Sequence, residues 1–429
     1  MRTAPTHGYH RRVVDGELDQ LLPALPALVF EGAKGVGKTE TAKQRAVTAW
    51  ELDTAAHQAL GRADPSRLLQ GDHPILIDEW QHVPDVWDQV RRSVDAGAPA
   101  GAYILTGSAL PRSRGTHSGA GRIVTLRMRP LSLVERDVAA PTVSLGALLM
   151  GGRPTIEGQC DCDVQRYIDE IVGSGFPGMR GLEGRSLRMQ LDSYIDRIVD
   201  HDFPELGHVV RRPALLRRWM AAYAAATATT TSYEKIRDAA TSDQHQKPAK
   251  TATQPYRDIL ERLWILDAIP AWLPVRSHLR ELSRPPKHHL VDPALATQLL
   301  GVDATALIEG REPGPSVPRE DTLLGALFDS LVTQSVRVYA QAAEAGVKHL
   351  RTSRGEHEID LIVERRDGRV VAIEIKFAQA PTDADVRHLL WLQKEIGDEL
   401  LDAVVINTGR DAYRRADGVA VVPAALLGP

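Results

Sequence analysis

Four short apolar runs, at residues 27–31, 75–78, 103–106 and 123–126, punctuate the first third of the chain. Runs this short and this uniformly apolar predict parallel strands buried on both faces. The spacing between them leaves room for helices, so residues 1–135 are expected to form a doubly wound α/β domain. Residues 136–206 read as a mainly helical, lid-like region, broken at Gly151-Gly152 and at 173–178. Residues 207–308 are helical and Ala-rich, interrupted by the polar stretch 241–250, and a Pro/Gly/Glu segment at 309–320 reads as a linker. The tail, 321–429, begins with a helix over 323–342. A hairpin turning at Asp367-Gly368 follows, then a helix over 383–395 and a strand over 403–407. No fixed-period repeat is present.

The first apolar run opens into a sequence that fits G-x-x-x-x-G-K-S/T at Gly32, Gly37, Lys38 and Thr39. Glycines at such a turn let backbone N–H groups wrap a phosphate, and a following helix places its positive end beneath the anion. The expected contacts with ATP run through Gly32, Lys34, Gly35, Gly37, Lys38 and Thr39. Lys38 would reach the β- and γ-phosphates and Thr39 would hold Mg²⁺.

The run 75–78 ends in Asp78-Glu79, about forty residues beyond the loop. Acids at that place supply what a nucleotide hydrolase needs: Asp78 to organise Mg²⁺, Glu79 to orient and deprotonate the attacking water. The next strand ends in Thr106-Gly107-Ser108, where Thr106 or Ser108 is expected to sense the γ-phosphate. Arg122, just before the last strand, is expected to act as an arginine finger in a neighbouring subunit's site, which makes a homo-oligomer the expected state.

At 429 residues the chain has room for about three domains. The net charge of −4 does not mark a polyanion binder, but the charge is uneven. Residues 207–290 hold fourteen Lys/Arg against seven Asp/Glu, a surplus of the kind nucleic-acid partners exploit. Cys160 and Cys162, the only cysteines, cannot close a four-ligand zinc site or a disulfide framework. The N-terminus lacks the apolar core of a signal peptide, and no run approaches the ~18 apolar residues of a membrane span. A cytoplasmic protein with no membrane contact is expected.

Within the basic region, 233–240 predicts a short amphipathic helix and 252–268 a second, with Trp272, Val275 and Leu279 in a β-wing and its flanks. Helix, turn, helix and wing form a DNA-reading arrangement. Lys247, Lys250, Thr253, Gln254 and Arg257 cluster at the start of the second helix, and Lys247, Lys250 and Arg257 are the expected phosphate contacts. The same pattern also serves as a spacer or a protein-docking surface.

In the tail, 357–363 and 370–376 flank the Asp367-Gly368 turn. Residues two apart share a strand face, so Glu374 and Lys376 point the same way, and hairpin pairing brings Asp360 beside them. Two acids and a lysine on one face are the parts of a Mg²⁺-dependent phosphodiesterase, with Asp360 and Glu374 as metal ligands and Lys376 as the catalytic cation. These three residues resemble the PD-(D/E)xK nuclease fold. Asp329, on the preceding helix, stands where that fold usually has Glu.

Residues 26–39, Asp78-Glu79, Thr106-Gly107-Ser108 and 122–133 resemble the prokaryotic AAA-type ATPases that carry an uncharacterised C-terminal region, the AAA_14/DUF4143 family. The phrase Arg129-Pro130-Leu131-Ser132-Leu133 and the turn Gly175-Phe176-Pro177 are typical of it. Lys34 stands where that family usually has Arg. The resemblance spans nearly the whole chain and implies a winged-helix middle and an Asp-, Glu- and Lys-bearing, restriction-endonuclease-like tail. The expected function is Mg²⁺-dependent ATP hydrolysis coupled to translocation along, or remodelling of, DNA. Two alternatives stand beside it: a regulatory switch whose ATP state gates a protein partner, with an inert tail, and an ATP-gated nuclease of a defence system.

Overall fold

The computed structural model describes residues 8–108, 119–241, 250–272, 285–319, 322–352 and 355–429, with backbone only at 250–252. The five segments expected from sequence map onto two compact units. The first comprises residues 1–129 together with Phe176–Gly178 and Ile259–Trp264, and the second the remainder.

The first unit is built on a five-stranded sheet of β1 (Ala27–Glu31), β2 (Thr48–Glu51), β3 (Ile75–Asp78), β4 (Tyr103–Gly107) and β5 (Val124–Arg127). The order is β2-β3-β4-β1-β5 and every neighbouring pair is parallel. Parallel pairing brings the carboxyl ends of β1, β3 and β4 to one edge, where ligands bind in open α/β sheets. Val29, Ile75, Ile77 and Leu105 pack with Trp80, Val86 and Val90 in the core. Strand β2 escaped the sequence reading. It is an edge strand, Thr-Ala-Trp-Glu, with no fully buried residue and hence no apolar run. The helix leaving the loop is short, Lys38–Lys43. It ends where Arg45 is held by Asp15 and Asp19, and the β-branched pair Val47-Thr48 turns the chain into β2.

The second unit carries a seven-stranded mixed sheet. Its strands are β7 (Gly158–Gln159), β8 (Gly346–Arg351), β9 (Glu358–Glu364), β10 (Val370–Ile375), β11 (Leu400–Asn407), β12 (Asp411–Arg414) and β13 (Ala420–Pro423). They run in the order β7-β12-β13-β11-β10-β9-β8. A separate two-stranded pair joins β6 (Val143–Ser144) to β14 (Leu427–Gly428). The sequence 136–206 thus supplies strands that pair with the chain's last twenty residues. The expected hairpin forms: β9 and β10 are antiparallel with Val371 opposite Val363, and Gly368 takes the left-handed turn position at φ 86°. Helix Asp383–Ile396 covers one face through Val386, Leu389 and Leu392.

Leu131, Arg136, Glu170, Ser174, Gly175 and Asp292 make a buried polar junction within this unit. Leu131 N–H donates to the Gly175 carbonyl at 2.7 Å. Arg136 Nη1 donates to the Glu170 carbonyl at 2.8 Å, and Ser174 Oγ donates to Asp292 at 2.7 Å. In the middle region the helices are Tyr233–Ala239 and Lys250–Arg262, the latter ending earlier than the expected 268. Antiparallel bridges Leu266–Leu290 and Ile269–Lys287 join the segments that flank 273–284. Val275 and Leu279 lie outside the described residues. Trp272 is buried, and its Nε1–H donates to Glu364 at 2.9 Å. Among the described residues no helix is long and apolar enough to cross a membrane.

Candidate functional site

The loop after β1 folds as a phosphate cradle. A Cβ on Gly32 would lie 2.2 Å from the Met128 carbonyl oxygen, so any side chain there must displace the loop or β5's end. Gly37 caps the following helix at φ 98°, a conformation that disfavours a side chain. Lys38 is buried, and its Nζ donates to the Gly32 carbonyl at 2.8 Å and the Ala33 carbonyl at 2.9 Å. Burial pulls its pKa down to about 8, against the opposing pull of Glu79 and Asp78. Lys34 and Gly35 lie on the more open part of the loop.

Asp78 ends β3 and gathers two hydroxyls on one oxygen. Thr39 Oγ1 donates to Asp78 Oδ1 at 2.7 Å, and Thr106 Oγ1 donates to the same atom. Burial raises the Asp78 carboxyl above its usual range, while these two hydrogen bonds oppose that rise. Glu79 has left-handed backbone at φ 53°, and its N–H donates to Thr106 Oγ1 at 3.2 Å. Its Oε2 accepts from Ser108 Oγ at 3.0 Å and from Gln81 Nε2. Thr106 therefore braces the acids, and Ser108 holds the carboxylate expected to act as base. The donors present fit Mg²⁺ with ATP: a hydroxyl and a carboxylate in contact beside a buried ammonium.

Three residues here had no sequence signal. Gln81 follows the acids by two residues and looks like any helical polar residue. Arg12 is buried, with Nη1 donating to the Val36 carbonyl at 2.8 Å and Nη2 to the Arg129 carbonyl at 2.7 Å, so it ties the loop to the end of β5. Arg127 lies opposite Glu31 in the β1–β5 register and stacks on the Trp264 ring at 3.4 Å. Arg122, by contrast, is largely exposed, and its Nε donates to Asp95 Oδ1 at 2.8 Å.

In the second unit the expected tail residues come together. One step past the Ile373–Leu361 pair, Glu374 faces Asp360 across the hairpin. Lys376 Nζ lies 3.6 Å from Glu374, and Asp329 reaches the same cluster from helix Leu323–Ala342. A fifth residue, unforeseen, lies among them. Lys287 is 1% exposed and its Nζ donates to Asp329 Oδ2 at 2.6 Å and to Asp360 Oδ1 at 2.8 Å. Burial alone would lower its pKa, but the two aspartates outweigh it and raise it. Burial also pushes Asp360 up, yet Lys287 and Lys376 outweigh it and hold that carboxyl well below the usual range. Burial and the neighbouring Asp360 raise Glu374 well above it. Asp329, Asp360, Glu374 and Lys376 line a cavity of about 960 Å³ together with Thr229, Ser232, Arg319 and His388.

Of the expected DNA contacts, Arg257 alone has a described side chain. Lys247 lies outside the described residues, as does the side chain of Lys250. Arg257 is half-buried, 3.3 Å from Asp258 and 4.8 Å from the centre of the Tyr233 ring. Thr253 is buried and Gln254 exposed. Arg217 and Arg237 also pair within the unit, with Asp196 and Asp238.

Comparison with known proteins adds the family context. Residues 25–136 match the family described as an AAA domain. Residues 164–306 and 324–427 match two domains of unknown function, DUF8612 and DUF4143. Uncharacterized proteins of Mycobacterium tuberculosis and Mycobacterium bovis are each 24% identical over 421 residues, covering 96% of this chain and 83% of theirs. Among solved structures, a Walker-type ATPase of Pyrococcus abyssi is 15% identical, covering 66% of this chain and 94% of its own at a TM-score of 0.37. The ORC2 protein of Aeropyrum pernix, in ADPNP and ADP complexes, is 14% identical, covering 62% and 90% at a TM-score of 0.27. The AAA match over residues 25–136 and the loop geometry support an AAA-type ATPase domain there.

Proposed function

We propose that the protein hydrolyses ATP with Mg²⁺ and couples turnover to DNA, moving along or remodelling a duplex or branched substrate. The observation that carries the ATPase half is the 2.7 Å contact between Thr39 and Asp78 beside the buried Lys38. Lys38 exchanges the Gly32 and Ala33 carbonyls for β- and γ-phosphate oxygens. Thr39 and Asp78 are the residues that would hold the ion. When bound, Mg²⁺ neutralises charge developing on the transferring phosphoryl group. Glu79 orients water and accepts its proton on a carboxylate that Ser108 and Gln81 position. On this reading Arg122 leaves Asp95 to complete a neighbouring subunit's site in a homo-oligomer, a contribution of about 10³–10⁵ in rate.

The DNA half rests on the surplus of Lys and Arg over 207–290, where the helices Tyr233–Ala239 and Lys250–Arg262 lie. ATP turnover measured with single-stranded, duplex and branched DNA tests it, with stimulation expected. A second reading is favoured by the pairing of Arg217, Arg237 and Arg257 with neighbouring acids, which leaves less charge for phosphates. In it the ATPase is a regulatory switch that gates a protein partner, and DNA leaves turnover unchanged.

A further inference from the structure

The acids and lysine of the second unit match a metal-dependent phosphodiesterase in residue type, but their hydrogen bonding does not fit a divalent ion. Asp329 Oδ1 accepts from Thr333 at 2.9 Å and Oδ2 from Lys287 at 2.6 Å. Asp360 Oδ1 accepts from Lys287 at 2.8 Å and Oδ2 from the Ile375 N–H at 2.8 Å. All four aspartate oxygens are thus engaged by donors within the protein. A hard divalent cation needs such oxygens turned toward it. Among the described residues no group of three His, Cys, Asp or Glu is disposed to hold one.

We propose that Lys287 is the resident cation of this cluster: its ammonium bridges Asp329 and Asp360 and closes the site to divalent metal, so the tail does not cut phosphodiesters by metal-assisted hydrolysis.

Charge balance supports this. Three carboxyl groups, Asp329, Asp360 and Glu374, face two lysines in one cluster, in which Lys287, Asp329 and Glu374 are buried and Asp360 and Lys376 half-buried. With both ammoniums in place, little negative charge remains to draw in a dication. Backbone placement makes the arrangement durable. Lys287 sits on a segment bridged to Ile269, and Ala271 is bridged in turn to His349 of β8, the edge strand. The ammonium is therefore delivered by a paired strand segment, and withdrawing it would leave the buried Asp329 and the half-buried Asp360 without their shared cation. The proposal stands whether or not the ATPase acts on DNA.

The test is Mn²⁺ binding to the nucleotide-free full chain, read by electron paramagnetic resonance, in wild type, Glu374→Gln and Lys287→Ala. Wild type and Glu374→Gln are expected to give superimposable isotherms. Lys287→Ala is expected to gain roughly tenfold or more in Mn²⁺ affinity, because it leaves Asp329 and Asp360 uncompensated. If Lys287→Ala does not fold, the double variant Lys287→Met with Asp329→Asn takes its place. That variant keeps Asp360, Glu374 and Lys376 and should show a smaller gain, since Asp329 no longer carries charge and Asp360 alone is uncompensated. Mn²⁺ bound by wild type and lost in Glu374→Gln overturns the proposal. So does a folded Lys287 variant with no gain.

Discussion

Ser108 donates its hydroxyl proton to the Glu79 carboxylate at 3.0 Å, joining the end of β4 to the acid that follows β3. Gln81 holds the same oxygen, so the carboxylate is fixed by two side chains before any nucleotide binds. Glu79→Gln is expected to retain ATP binding and lose about 10²–10⁴ in turnover, the usual contribution of a positioned base. Ser108→Ala should lower turnover less, about tenfold, with little change in nucleotide affinity, since Ser108 acts through Glu79. Steady-state turnover beside nucleotide titration checks both. A Glu79→Gln protein as fast as wild type would remove Glu79 from the base role.

Lys38 leads to a prediction about pH. Its folded pKa lies near 8, below the ordinary lysine value of 10.5, chiefly because burial disfavours the ammonium. Below about pH 8 the free protein holds Lys38 charged; above it, the proton is progressively lost. Phosphates favour the charged form, so binding ATP raises this pKa and takes up a proton above pH 8. Calorimetry at pH 8.5 in buffers of differing ionisation enthalpy should show net proton uptake, and Lys38→Ala should bind no nucleotide. Uptake that is nil at pH 8.5 would place the titration elsewhere.

Lys287 lies in the core of the second unit, with Asp329 buried and Asp360 half-buried beside it. Lys287→Met should cost about 3–5 kcal/mol of stability, the penalty of leaving buried carboxylates unpaired. Adding Asp329→Asn should recover part of it. Denaturant midpoints of the single and double variants measure this, and a single variant as stable as wild type would show that the bridge contributes little.

Gly32 has no room for a side chain, with the Met128 carbonyl 2.2 Å from where a Cβ would stand. Gly32→Ala should shift the phosphate cradle and weaken ATP binding by at least about tenfold, which is 1.4 kcal/mol. An unchanged nucleotide affinity would mean that the loop yields without cost.

Charge reversal at Lys250 and Arg257 should weaken DNA binding about equally across sequences, and wild-type affinity should fall steeply with salt, because phosphate contacts carry no sequence information. Filter binding at two salt concentrations is sufficient. Binding that is unmoved by the double reversal favours the switch reading.

The candidate nucleotide site was legible because its signals are local. Gly32, Gly37, Lys38 and Thr39 lie within eight residues, and Asp78-Glu79 end an apolar strand. The tail cluster was half legible: strand alternation and one tight turn brought Asp360, Glu374 and Lys376 together. Lys287 was not, because it is 42 residues from Asp329 and 73 from Asp360, and nothing in its neighbourhood marks a buried cation. Arg12 was hidden likewise, since it reaches the Arg129 carbonyl across 117 residues. Edge strand β2 gave no apolar run, and β7 is two residues long, so periodicity could register neither.

ATP turnover by the full chain with Mg²⁺, in the absence and presence of single-stranded, duplex and branched DNA, tests the central claim most directly. The account predicts turnover that depends on Lys38 and Glu79 and rises with at least one of these DNA forms. Absence of turnover under every condition would contradict the ATPase reading itself. Turnover that no DNA form changes would contradict its coupling to DNA.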